Sequence, residues 1–147
     1  MKAVARNIAA PIVGLVLGSF ANLALVTIGG HVIPPPPGAD VSDMEKLRAS
    51  MHLFEPKHFI FPFLAHALGA LAGGFVASLV AATHRKTFAL AVSLFFLVGG
   101  IVNCFLLPAP FWFMALDVVA AYIPMGWLAG LLAEKVRPAG VSTVRAV

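Results

Sequence analysis

The sequence predicts an all-α integral membrane protein, an up-down four-helix bundle with a short amphipathic helix in its first outer loop. Three observations predict it. The chain is 61% hydrophobic and 11% charged, whereas soluble domains carry about 25% charged residues. Its apolar residues fall in windows of about 20 nearly uncharged positions, the length a helix needs to cross about 30 Å of hydrocarbon. Its basic residues flank those windows, which makes them topology signals. A mean hydropathy of +0.97 leaves too few polar residues to cover a water-soluble fold. The 147 residues read as a single transmembrane domain.

The first span is expected over residues 8–29, after Lys2 and Arg6. Ser19-Phe20-Ala21 loosely fits a signal-peptidase site, but the apolar run continues past it. Gly14 and Gly18 stand at the spacing that lets helices approach closely, so a retained span is expected. The outer loop covers residues 30–56. Within it, the four prolines 34–37 predict a stiff extended segment. Ser42 and Glu45 then have capping-box spacing, with Met44, Leu47, Met51 and Phe54 on one face of the short helix that follows. Pro56 ends it.

The second, third and fourth spans are expected over residues 57–82, 87–107 and 111–133, with a tail over 134–147. Lys2, Arg6, Arg85, Lys86, Lys135, Arg137 and Arg145 fall on one side of this arrangement. Lys46, Arg48 and Lys57 fall on the other, mixed with Asp40, Asp43, Glu45 and Glu55. The excess of basic charge predicts both termini in the cytoplasm and the Pro-rich loop outside. Phe111, Trp112 and Phe113 are expected at the outer interface, where aromatic rings are enriched.

Polar residues inside spans are expensive and need a reason. Each span has one main candidate: Asn22, His66, Asn103 and Asp117. From the helical rise, each lies roughly 6–14 Å below its outer helix end. Each also shares a face with small residues, such as Gly69, Ala70 and Gly73 beside His66. Small residues mark helix–helix contacts in lipid, so these polar groups are expected to point inward. One reading is mutual hydrogen bonding that holds the bundle together. The other is an outward-opening polar cavity in which His66 and Asp117 exchange protons or hold a ligand. Pro62 and Pro124 add freed backbone carbonyls nearby.

The outer segment supplies mouth candidates His52, Glu55 and His58, spaced three apart. A metal site is not expected of them, because Pro56 disfavours the continuous helix that would align them. No cofactor is expected: only His66 lies well inside the bundle, and a second axial imidazole for haem is not evident. Cys104 is the only cysteine, which excludes an intramolecular disulfide, CxxC chemistry and thiolate zinc sites. A pI near 9.7 suggests nucleic acid in a soluble protein; with the charges flanking spans, no nucleic-acid partner is expected and the bilayer is the partner. The seams Gly14/Gly18 and Gly69/Gly73 serve either a homo-oligomer or packing within the monomer.

The stretch 50–69, SMHLFEPKHF followed after Ile60 by FPFLAHALG, resembles small bacterial four-span membrane proteins of uncharacterised function. The resemblance covers most of the chain between Gly18 and Ala133. It implies the span count and a bacterial inner membrane, and carries over no activity or functional residue. Three functions follow as expectations. The first is small-solute or proton-coupled transport through the outward-facing polar cavity. The second is a non-catalytic accessory role, with an unknown protein partner on the outer loop. The third is an enzyme acting on a lipid or quinone, less expected because no reaction motif is present.

Overall fold

The computed structural model describes residues 2–137. It is all-helical over those residues, with four segments long and apolar enough to cross a membrane: Ala3–Val32, Pro56–Val80, Arg85–Leu106 and Phe111–Val136. The elements in order are α1 (Ala3–Val32), α2 (Met44–Ser50), α3 (Ile60–Val80), α4 (Arg85–Leu106), α5 (Phe111–Ala120) and α6 (Ile123–Val136). Residues 138–147, including Arg145 and most of the expected tail, lie outside the described residues. Residues 134–136 of that tail continue α6 as helix.

The bundle is built around α3, which packs against α1, α4 and α6. Its inner face is Ala65, Gly69, Ala70, Gly73, Gly74 and Ala77, all buried. Such a face lets neighbouring backbones approach closely, the main attraction available where lipid is as apolar as the side chains. The two glycine seams meet each other across an antiparallel α1–α3 contact. A Cβ on Gly14 would lie 2.6 Å from the Gly73 carbonyl oxygen, and one on Gly18 2.7 Å from that of Gly69. The seams are therefore used within the monomer. The outer flank of α1, with Ile8, Ile12, Phe20 and Leu23 more than half exposed, faces away from the bundle.

The loop differs from expectation in its cap. Asp43, not Ser42, opens α2: its Oδ1 accepts the Lys46 amide at 2.9 Å. Ser42 is committed elsewhere, donating through Oγ (2.6 Å) and backbone N–H to Asp40 Oδ1. Those two bonds, in that order, hold the Asp40 carboxyl below its ordinary range. Pro36–Ala39 closes as a turn with Gly38 at φ +86°, the left-handed position that glycine fills without strain.

The amphipathic helix is also shorter than its apolar pattern. α2 ends at Ser50 and passes through a 3₁₀ turn, Met51–Leu53. Leu47, Met51 and Phe54 pack on Phe59 and Phe113, while Met44 stays half exposed. Phe113 is accordingly buried, with its ring 4.7 Å from that of Phe59, and only Phe111 and Trp112 stay outward. A reciprocal cap does form, between Glu55 and His58, and Pro56 opens the following 3₁₀ turn.

The fourth span is interrupted. Ala121 and Tyr122 separate α5 from α6, with Tyr122 at φ −120°, ψ −73°. Pro124 removes the N–H that would bond the Ala120 carbonyl, so the ladder breaks one turn before it. At the opposite end of the bundle, α4 begins at Arg85, so Arg85 and Lys86 are its first turn rather than the connecting turn. His84 carries that turn in the left-handed region at φ 49°.

Candidate functional site

His66 and Asp117 meet in the membrane-spanning region. His66 Nδ1 lies 2.9 Å from each of the two Asp117 carboxylate oxygens. The Asp117 side chain is 4% exposed and that of His66 20%. Each side chain is placed by its backbone. His66 stands on the small-residue face of α3, between buried Ala65 and Ala67. Asp117 is the last inward residue of α5 before the break.

A third group belongs to the same cluster. Tyr122 Oη donates to Asp117 Oδ2 at 2.8 Å, and its ring stacks on the His66 imidazole with centroids 5.8 Å apart. In an unbroken α-helix, residues five apart point about 140° away from each other. The break at Ala121–Tyr122 brings the phenol back toward the carboxylate. Tyr122 is 2% exposed and fits because position 100 carries no side chain: a Cβ on Gly100 would collide with the phenol oxygen and ring.

His66 and Asp117 form the floor of a cavity of about 220 Å³, which Tyr122 does not line. Asn103, Cys104 and Gly100 of α4 form its back, Val26 of α1 one side, and Leu47, Met51 and Phe54 its cover. His58 stands at the mouth. A second cavity of about 310 Å³, between the cover and the end of α1, shares Val26, Leu47, Phe54, His58 and Pro62 with the first. The two are neighbours beneath the loop, with these shared residues between them. The walls are apolar and the polar groups sit at the floor, so the compartment is less polar than the sequence suggests.

Of the four layer residues, the structure brings His66, Asp117 and Asn103 to the cavity. Asn22 is not among its lining residues; its Cβ packs 3.0 Å from the position a Gly69 Cβ would take, in the α1–α3 seam. Of the mouth candidates, Glu55 and His58 cap one another, and His52 turns away from them. His52 Nδ1 turns back to the Ala49 carbonyl at 2.8 Å. Glu55 caps the 3₁₀ turn and pairs with Lys57 at 3.0 Å, which holds its carboxyl below the ordinary range. The Glu55 amide donates to His58 Nδ1 at 2.9 Å. Among the described residues, no three His, Cys, Asp or Glu side chains come together to hold a metal ion.

The geometry states what the cluster can do. One nitrogen equidistant from both carboxylate oxygens is the arrangement of an N–H shared by an acceptor, since a carboxylic O–H would donate from one oxygen only. With Nδ1–H so engaged, Nε2 of the neutral ring is left as a lone pair. Nε2 makes no hydrogen bond among the described residues. Low dielectric strengthens such charge-assisted bonds and raises the cost of breaking them. The floor thus presents one imidazole nitrogen as an acceptor, on a ring whose orientation Asp117 fixes through Nδ1.

Set against known protein families, curated protein sequences and solved structures, the chain matches none. Its function has to be read from its own site.

Sequence reasoning missed Tyr122. It is the only tyrosine and stands two residues before Pro124; a lone phenol beside a proline break in a span was the available signal. It also missed the arginine contacts at the opposite end. Lys and Arg there read as topology markers, and their acceptors are backbone carbonyls with no sequence signature.

Proposed function

We infer that this chain is a small multi-pass protein of a bacterial inner membrane that binds a small amphiphilic solute and exchanges a proton with it. Both termini lie in the cytoplasm in this reading, and the Pro-rich loop faces outward. The charge distribution supports that orientation: Arg6, Arg85, Lys86, Lys135 and Arg137 lie at one end, while the loop's basic residues are balanced by acids.

The observation that carries the reading is the free Nε2 of His66 at the floor of an apolar-walled cavity, with Asp117 behind it. Such a compartment suits a molecule with an apolar body and one hydrogen-bond-donating or acidic group. The body fills the space between Met51, Phe54 and Phe113, and the polar group meets His66. Below the floor the packing is closed. A Cβ on Gly74 would lie 3.1 Å from the Ala129 Cβ, and one on Gly126 would collide with Ser93. Passage across the membrane therefore requires a second arrangement of α5 and α6, or a homo-oligomer. Acid–base chemistry on a lipid or quinone headgroup would use the same pair.

The test is ligand-dependent stabilisation in lipid nanodiscs. A panel of amphiphilic phenols, carboxylic acids and quinols is screened by thermal unfolding, and binding is then quantified. At least one class is expected to bind the wild type at least tenfold more tightly than His66→Phe or Asp117→Asn. Equal binding to all three proteins, or a wild type unmoved by the whole panel, would sink the reading. Product formation lost in Asp117→Asn would identify the enzyme.

A further inference from the structure

The end of the bundle away from the loop carries a cationic cluster that the cavity does not use. Arg6 Nε donates to the Val80 carbonyl at 2.9 Å, and its Nη2 reaches those of Leu79 and Ala81. Arg137, just past α6, donates through Nη1 to two of the same oxygens, Leu79 at 2.6 Å and Ala81 at 3.4 Å. Arg85 Nη1 donates to the carbonyl of Arg137. Two guanidiniums thus share two acceptors, and a third is tied to the backbone of the second.

The carbonyls belong to the C-terminal turn of α3, whose unpaired oxygens amount to about half a negative charge. Three full positive charges face that half charge. Glu134 is the only acidic residue at this end, and Lys86 holds it at 3.0 Å. Residues 138–147 contain no Asp or Glu. Burial first, and then the charges of Arg6 and Arg85, press the Arg137 guanidinium below its ordinary range. Donors also remain unused. Arg6 Nη1, and Nε and Nη2 of both Arg85 and Arg137, make no hydrogen bond among the described residues. Arg85 also borders an open groove of about 410 Å³, with Thr83, His84 and Lys86.

We propose that Arg6, Arg85 and Arg137 form a binding site for a phosphate group, supplied by the headgroup of an anionic phospholipid. Planar guanidiniums match phosphate oxygens two at a time, and basic pockets between spans at the membrane surface take such headgroups. The lipid source is favoured by what flanks the cluster. Val4, Ile8 and Val136 lie in the same helical turns and are each more than 60% exposed, which offers an acyl chain an apolar flank.

The experiment compares retention of phosphatidylglycerol and phosphatidylcholine by native mass spectrometry, and separately follows thermal unfolding with millimolar inorganic phosphate. The wild type is expected to prefer phosphatidylglycerol at least tenfold, and R85Q/R137Q to lose at least five-sixths of that preference. K135Q removes a charge from an exposed position with no ion pair among the described residues, on the same helix end, and is expected to keep it. Stabilisation by inorganic phosphate without lipid preference, lost in R85Q/R137Q, supports the phosphate site and assigns it to a soluble anion. Equal retention of both lipids with no phosphate response, or a preference unchanged in R85Q/R137Q, overturns the proposal. If circular dichroism shows R85Q/R137Q misfolded, R85Q alone decides, because among the described residues that side chain bonds only the Arg137 carbonyl.

Discussion

Gly14→Leu is expected to detach α1 from the bundle. A Cβ at that position would lie 2.6 Å from the Gly73 carbonyl oxygen and 2.8 Å from the Ala77 Cβ. Neither obstacle can rotate aside, so the strain must move a helix. Overpacking costs about 1–3 kcal/mol where side chains can adjust; here the expected loss is at or above the top of that range. α1 has little to fall back on, because its packing is almost entirely against α3. Gly99→Leu is the matched control: it adds the same side chain in a span where a Cβ meets nothing within 4 Å. Its effect should stay within about 0.5 kcal/mol. Unfolding in titrated SDS, followed by helicity, compares the two; equal stabilities would mean the α1–α3 seam is not the contact described.

Asp117→Ala is expected to destabilise by about 2 kcal/mol, and Asp117→Asn by roughly half as much. Hydrogen bonds between membrane helices average only about 0.6 kcal/mol because partners are usually replaceable. Tyr122 has no replacement. Its hydroxyl lies against Gly100, its side chain packs with Ala70 and Ala121, and Asp117 is its one acceptor among the described residues. An orphaned buried polar group costs about 1–3 kcal/mol. Asparagine keeps a carbonyl oxygen for Tyr122 but loses the charge and the second oxygen that faces His66. Tyr122→Phe in the Asp117→Ala background should recover most of the loss, because it removes the orphan. A double-mutant cycle by SDS titration measures this; additive effects would contradict the coupling.

The parts of this molecule readable from sequence were those set by composition and period. Four apolar windows with basic flanks specified four helices, and small-residue stripes specified which faces would touch. Those stripes also put His66 and Asp117 on inward faces at one depth, and the structure brings them within hydrogen-bond distance. What was not readable depended on departures from regular geometry or on backbone partners. Tyr122 lies off the Asp117 face of any regular helix, so only the break before Pro124 unites them. Asn22 has the right depth but is consumed by the Gly69 contact. The Asp43 cap displaced the Ser42 expectation because Ser42 had a nearer acceptor in Asp40. The cover over the cavity depends on Leu47, Met51 and Phe54 finding Phe59 and Phe113, a long-range match that no local pattern encodes.

The central claim is that Asp117 holds His66 with the proton on Nδ1, so that Nε2 faces the cavity as an acceptor. Solid-state ¹⁵N NMR of histidine-labelled protein in bilayers reads this directly. The His66 signals, assigned by their loss in His66→Phe, should show a protonated Nδ1 hydrogen-bonded to the Asp117 carboxylate and an unprotonated Nε2 in the ligand-free protein. A His66 with the proton on Nε2 and a bare Nδ1 would contradict the account, since the cavity floor would then offer a donor where a base is required.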